Sequence, residues 1–329
     1  MLKRLLAIAM AALVLAAPAY AADNTMFKGK SITFIIATGP GGGYDIYGRL
    51  MSRYLAKYLP GARILVKNVP GAGHIVGANT IYAARPDGLT FGTFNTGLIY
   101  DQLLQRAGVK FDLAKFSYLG KASDDTRVVV VSAKSGFKSF DDIMKSKTPV
   151  KFAASGIGSA AYIETRILQN ALHVPLQIVP GFDGNEGEMS MLRNEVAAAV
   201  GTANSLEPFV KNRNGFFALA LTESDTLPGV PKAMTYAKDD QAKRLLGLVS
   251  TLSEIGRLTA GPPGMPPATL AVLREALMKA MTDPGFIAEG KKLGLPLDPA
   301  PGDKVEAMVK EALAQPPETV AELKRAASE

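Results

Sequence analysis

Three groups of residues in this 329-residue chain have the types and spacing to do chemistry, and that chemistry is anion capture. The first is Thr38 through Asp45, TGPGGGYD, in which Gly41, Gly42 and Gly43 leave the backbone bare just ahead of Tyr44 and Asp45. The second is Ser155-Gly156-Ile157-Gly158-Ser159. The third gathers small or ring-bearing residues in other turns: His74, Asn95 and Thr96, Phe182, and Thr202 and Asn204. Free N–H groups at a helix start, aided by the helix dipole, attract negative charge. Glycine lets a ligand approach the backbone, and small hydroxyls add donors.

Other chemistries fail on spacing. A dinucleotide fingerprint counted from Gly39 ends on Tyr44, and counted from Gly41 it ends on Ile46. A phosphate loop needs Gly-Lys-Ser/Thr, and Gly43 is followed by Tyr44 and Asp45. A serine nucleophile elbow needs glycine two places ahead of Ser155, where Ala153 stands. Only two histidines, His74 and His173, and no cysteine speak against a metal site.

The elements that must position these turns follow from periodicity. Ile32 to Ala37 is a short β-branched run suited to a buried strand. From Tyr47, apolar residues recur at three- and four-residue steps through Leu50, Met51, Tyr54, Leu55 and Tyr58, which predicts an amphipathic helix with Asp45 as N-cap. Further strands are expected at Ile64–Val66 and Leu89–Phe94, with a helix over Ile75–Ala84 that Arg85-Pro86-Asp87-Gly88 stops. This rhythm implies a parallel sheet with ligands gathering at the carboxyl ends of its strands. His74, beside Gly73 at a helix start, is placed on the pocket rim, and His173 at a helix C-terminus. The chain is expected to cross between domains near Ala122. A second series has strands at Val150–Ala154, Leu176–Val179, Ala197–Val200 and Phe217–Leu221, with a helix over Ala160–Leu172. The proline-broken tail, after a helix over Ala268–Met281, is expected to wrap the first domain.

Lys3 and Arg4, the apolar stretch Leu5 to Ala17 and Ala19-Tyr20-Ala21 predict a secretory leader over residues 1–21. Without cysteine the exported protein carries no disulfide and no lipid on an N-terminal cysteine, so it is expected free in the periplasm. A hydrophobic content of 47% against 20% charged residues argues against disorder. The net charge of +7 suits an anionic ligand, but the basic residues are scattered and there is no tryptophan, so nucleic acid is not a partner.

Several motifs also match in order: GPGGGYD at Gly39 to Asp45, PGAGHIVGAN at Pro70 to Asn79, PDGLTFG at Pro86 to Gly92, SGIGSAAY at Ser155 to Tyr162, LPGVP at Leu227 to Pro231, and GPPGMPP from Gly261. Over nearly the whole exported chain they resemble the extracytoplasmic receptors of tripartite tricarboxylate transporters, the TctC or Bug family. The resemblance implies an α/β, two-lobed periplasmic binding protein of the Venus-flytrap, type II-like kind, each lobe a mixed sheet flanked by helices. It implies residues 22–122 plus 224–329 as lobe 1 and 123–223 as lobe 2, with crossings at Phe116 to Thr126 and Thr222 to about Gly247. It further implies no enzymatic activity, no cofactor, a monomer, an organic di- or tricarboxylate or aromatic carboxylate as ligand, and membrane permease subunits as partners. The carboxylate would be held by backbone amides and small hydroxyls of the two glycine turns, without an obligatory arginine. Tyr162 stands where many members have histidine, one turn into the second-lobe helix. A receptor that reports ligand to a membrane sensor, or a periplasmic hydrolase or isomerase of an anionic substrate, are the alternatives.

Overall fold

The computed structural model describes residues 24–182, 184–223 and 225–328; the expected leader, Asp183 and Ser224 lie outside the described residues. Two mixed sheets form, each flanked by helices. The first has the order β11-β4-β10-β3-β1-β2. Here β1 is Ser31–Ile36, β2 Arg63–Asn68, β3 Thr90–Thr93, β4 Ser117–Lys121, β10 Leu258–Gly261 and β11 Ala300–Pro301. The second has the order β7-β6-β8-β5-β9, with β5 Arg127–Ser132, β6 Val150–Ala154, β7 Leu176–Pro180, β8 Ala198–Thr202 and β9 Gly215–Ala220.

The parallel sheet expected from the βα rhythm holds for β1, β2 and β3, and for β6, β7 and β8. It fails where the chain returns. Strand β10 enters antiparallel between β3 and β4, and β5 runs antiparallel to both β8 and β9. β5, RVVVVS, is buried along its whole length because both of its faces are covered.

Helices follow the glycine turns: α1 Gly43–Tyr58, α2 Ile75–Tyr82, α3 Leu98–Leu103, α4 Phe140–Met144, α5 Ala160–Leu172, α6 Glu186–Leu192 and α7 Ala203–Lys211. The remainder are α8 Asp240–Ile255, α9 Pro267–Met281, α10 Pro284–Lys292, α11 Gly302–Leu313 and α12 Pro317–Ser328. The long helix α8 occupies part of the stretch expected to be a plain crossing. It buries Leu245, Leu246, Leu248, Val249 and Leu252, each worth about 1.5–3 kcal/mol of removed apolar surface. The tail divides. Helix α11 packs on β4, whereas α12 packs on α5 and α8. One apolar core consequently joins residues of the first sheet, such as Ile35 and Tyr118, to Val129, Ile167, Leu252 and Leu323.

The chain passes between sheets twice, after β4 and before β10, and the two passages lie side by side. The Arg257 N–H donates to the Ser123 carbonyl at 2.8 Å, the Ala122 N–H to the Arg257 carbonyl at 3.0 Å, and the Asp125 N–H to the Ser253 carbonyl at 2.8 Å. Between them Gly256 adopts φ 54° and ψ −131°. A Cβ there would stand 1.9 Å from the Ser123 carbonyl oxygen, so the juncture requires glycine.

Candidate functional site

A cavity of about 150 Å³ lies between the two sheets. First-sheet turns contribute Thr38, Gly42, Gly43, Tyr44, His74 and Asn95; second-sheet turns contribute Ser155, Ser159, Phe182 and Thr202. The remaining wall includes Arg127, Glu188, Ser205 and Arg257, which the sequence reading did not single out.

Each turn is fixed by local bonds. Gly42, not Asp45, is the N-cap of α1. Asp45 lies in the first turn and accepts from the Gly41 N–H at 3.1 Å, from Arg49 Nε at 2.9 Å and from Asn68 Nδ2 at 2.9 Å. Burial pushes its carboxyl up, but these donors outweigh that and hold it below the usual range. Asp45 and Gly41 therefore shape the loop from behind without lining the cavity. His74, buried at φ 83°, has Nδ1 2.9 Å from the Ala37 carbonyl oxygen. Asn95 accepts from the Gly97 N–H at 2.6 Å. Ser159 is the N-cap of α5, its Oγ accepting from the Tyr162 and Gly156 N–H groups at 3.3 and 3.4 Å.

Residues of both glycine turns, Gly42 and Gly43 from one and Ser155 and Ser159 from the other, line the same cavity, while the nearest neighbours across the cleft lie on other turns. A Cβ on Gly42 would stand 3.4 Å from Gly184 Cα, and one on Gly73 would stand 3.0 Å from the Ser159 amide nitrogen. The first turn thus meets the loop before α6, and the Pro70–His74 turn meets the start of α5.

The other residues expected in the site do not line the cavity. Tyr162 sits in a separate groove with Ile157, Gln169 and Arg166, whose guanidinium lies 5.6 Å from the tyrosine ring centroid. One helical turn beyond Ser159, its side chain leaves along the flank of α5. Asn204 points away and donates to the Tyr47 hydroxyl at 3.3 Å. Thr96 is buried behind the rim, and Gly156 and Gly158 face first-sheet residues, Gly73 and Arg106 respectively. His173 is the exposed left-handed C-cap of α5, as its position implied.

At the base of the cavity lies the charge cluster that the sequence concealed. Arg257, 1% exposed, pairs through Nε with Asp125 Oδ1 at 2.7 Å. Its Nη2 donates to Thr202 Oγ1 at 2.8 Å and Ser205 Oγ at 3.0 Å, and its guanidinium lies 4.0 Å from the Tyr44 ring centroid. Tyr44 donates its hydroxyl to Asp125 Oδ2 at 3.0 Å. Burial, then the Asp125 charge, raises the phenol far above its ordinary value, so Tyr44 stays neutral. Arg127 Nε donates to Glu164 Oε2 at 2.8 Å, and burial pushes that carboxyl up despite the pull of Arg127. Arg257 Nη1 and Nε are both buried without a hydrogen bond among the described residues, the Nε approach to Asp125 being an ion pair only. A buried guanidinium N–H without an acceptor is costly. Nothing in the spacing advertised these arginines. Arg127 starts a valine strand, and Arg257 follows a glycine 130 residues later; their convergence is tertiary.

The two halves also touch at the cleft edge. Arg106, which follows α3, donates from Nη1 to Asp101 Oδ1 at 3.1 Å and across to the Ile157 carbonyl at 2.7 Å. Asp101 is fully buried, and burial drives its carboxyl up to about 7 while Arg106 pulls it down. Between the unfolded value of 3.8 and about 7, the folded chain binds more protons at this group. Stability from Asp101 therefore falls as pH rises through that window and is flat above it. Urea melts of the wild type and Asp101→Asn from pH 4 to 8 are expected to converge at the acid end. The variant should gain, on the order of a few kcal/mol, by pH 8. Parallel pH profiles would show that Asp101 titrates normally.

Among the described residues no helix is long and apolar enough to cross a membrane, and no cluster of three or more His, Cys, Asp or Glu is arranged to hold a metal ion. Comparison with known proteins places this geometry. The chain is 27% identical over 274 residues to a UPF0065 protein in the tcbD-tcbE intergenic region of Pseudomonas sp. (strain P51), covering 82% of this chain and 79% of that one. Its fold superposes on the periplasmic binding protein BugD with a TM-score of 0.74 at 20% identity, covering 90% and 97% of the two chains. It superposes on MatC from Rhodopseudomonas palustris, solved with bound malate, with a TM-score of 0.71 at 20% identity, covering 90% and 98%. The profile described as "Tripartite tricarboxylate transporter family receptor" matches residues 48–316. With that match spanning most of its length, the chain belongs to the tripartite tricarboxylate transporter receptor family, the TctC family, a family of solute-binding receptors and not of enzymes.

Proposed function

We propose that this receptor captures a small organic-acid anion in the periplasm and presents it to the membrane permease subunits of a tripartite transporter. The observation that carries the reading is the buried Arg257, whose Nη1 has no hydrogen-bond partner among the described residues, at the wall of a cavity that also offers Thr202, Ser205 and the amide-rich starts of α1 and α5. One carboxylate completes the hydrogen-bonding of Arg257 while meeting the N-terminal dipole of α1. Malate in MatC, a relative in fold, is an anion of this kind.

On this reading residues 1–21 are the export leader, 22–122 plus 224–329 make lobe 1 and 123–223 make lobe 2, and the monomer closes by a hinge at the paired passages beside Arg257. Ligand contacts come from Thr38, Gly42, Gly43, Tyr44, His74, Asn95, Ser155, Ser159, Phe182 and Thr202, with Arg257 and Ser205 added. Thermal denaturation against a panel of organic acids tests it. The correct acid at a hundred times its dissociation constant should add roughly 2.7 kcal/mol of stability. A panel of mono-, di- and tricarboxylates and aromatic acids that leaves the melting temperature unmoved would remove the anion-receptor reading.

A further inference from the structure

At several points the two sides of the cleft meet through bare backbone. Gly42 faces Gly184, Gly73 faces the Ser159 amide, and a Cβ on Gly97 would stand 2.6 Å from that of Ala160. At the cleft edge a charged contact is added. Arg106 follows α3 on the first-sheet side, where its Nη1 donates to Asp101 Oδ1 at 3.1 Å and, across the cleft, to the Ile157 carbonyl at 2.7 Å. The Asp101 side chain is fully buried and that of Arg106 is 26% exposed, so the first bond anchors the guanidinium on its own side and the second reaches out from it. Ile157 lies in the turn whose Ser155 and Ser159 line the cavity. That turn is shaped to receive the guanidinium: Gly158 is buried at φ 89°, and a Cβ on it would fall on Arg106. Because Asp101 holds the guanidinium whether or not Ile157 is in place, little ordering is needed to remake the cross-cleft bond. A charged donor also makes a stronger bond than a neutral one.

We propose that Arg106 is a positioning residue for ligand capture, a latch that fastens the Ser155–Ser159 turn to the first-sheet side and holds the cleft shut from outside the cavity. This rests on the reading of the chain as two lobes that close by a hinge. On opening, the bond to Ile157 breaks while that to Asp101 persists. On closing, the latch sets how long the lobes stay together, and therefore how fast a captured anion escapes.

The chain has no cysteine, so nitroxides on Leu65→Cys and Met189→Cys, exposed sites on opposite sides of the cleft, report the separation of the lobes by double electron–electron resonance. Measured on chain freed of bound ligand by unfolding and refolding, the labelled parent should populate a short distance. Arg106→Met should lower the short-to-long ratio at least ~10-fold, as loss of a charged hydrogen bond implies. Arg106→Lys, which keeps a charged donor, should restore part of it. Gly158→Ala should act like Arg106→Met and add little to it, the non-additivity expected of direct contact. An unmoved ratio in Arg106→Met overturns the latch, and a fall in melting temperature beside that unmoved ratio marks Arg106 as structural only. With two distances present, the hinge reading then stands. One distance in every protein, kept through the organic-acid panel, overturns the hinge and the latch together.

Discussion

Replacing Arg257 with methionine is expected to abolish anion binding and to destabilise the fold by about 3–5 kcal/mol, the range for breaking a buried ion pair from one side. Both partners are nearly solvent-free, Arg257 at 1% and Asp125 at 2% side-chain exposure. Removal of the guanidinium leaves Asp125 with the Tyr44 hydroxyl as its side-chain donor. It also strips the positive partner from the face of the Tyr44 ring and the donor from Thr202 and Ser205. The pairing with a second variant separates the two losses. Arg257→Met with Asp125→Asn removes both charges and should recover much of the stability, because replacing a whole buried pair costs far less than orphaning half of it. Binding should stay lost in the double variant, since the guanidinium at the cavity wall is gone. Urea melts and calorimetry on the four proteins read the two effects. An Arg257→Met variant that binds as tightly as the wild type would show that the anion sits elsewhere.

Gly43→Ala should lower ligand affinity at least ~10-fold without loosening the part of the chain in which it sits. Gly43 is the first residue of α1, and alanine there would favour the helix by up to about 1 kcal/mol. Across the cleft, however, a Cβ on Gly43 would stand 2.0 Å from Ser205 Oγ and 3.1 Å from Arg257 Nη2. The added methyl must either push Ser205 off Arg257 or hold the two halves apart. Either outcome removes a contact the closed site depends on, while the melting temperature without ligand stays level or rises. The compensating change is Ser205→Gly, which vacates the collision. Gly43→Ala with Ser205→Gly should bind like Ser205→Gly alone, a non-additive result that marks direct contact. Small-angle scattering at saturating ligand should find the single variant more extended than the wild type. Unaltered affinity in Gly43→Ala would mean that α1 and α7 do not meet around the ligand.

Much of the scaffold was legible because it is written in local period. The β6 strand at Val150–Ala154 and the α5 helix at Ala160–Leu172 lie at the positions expected from the sequence. The glycine turns were legible as well, and ten of the residues expected to bind ligand line the cavity. The errors share a cause. Asp45 was placed as a cap because its type fits one, yet its oxygens are claimed by Gly41, Arg49 and Asn68. Tyr162 entered the reading through the family position it occupies, and its side chain lies in a groove with Arg166 rather than on the cavity.

The sequence by itself determined the strands, the helix starts and the bare-backbone turns, because propensity, capping and glycine conformation act between residues a few positions apart. It also determined the family, through the order of motifs that local structure preserves. Tertiary structure alone decided which charged side chains meet at the cavity. Arg257 reaches Thr202 and Asp125 from far along the chain, by way of an antiparallel strand inserted between β3 and β4 and a glycine wedged against Ser123. A buried guanidinium keeps donors to offer only where its neighbours leave some of them without acceptors. That condition is a property of the packed cleft, and no stretch of sequence expresses it.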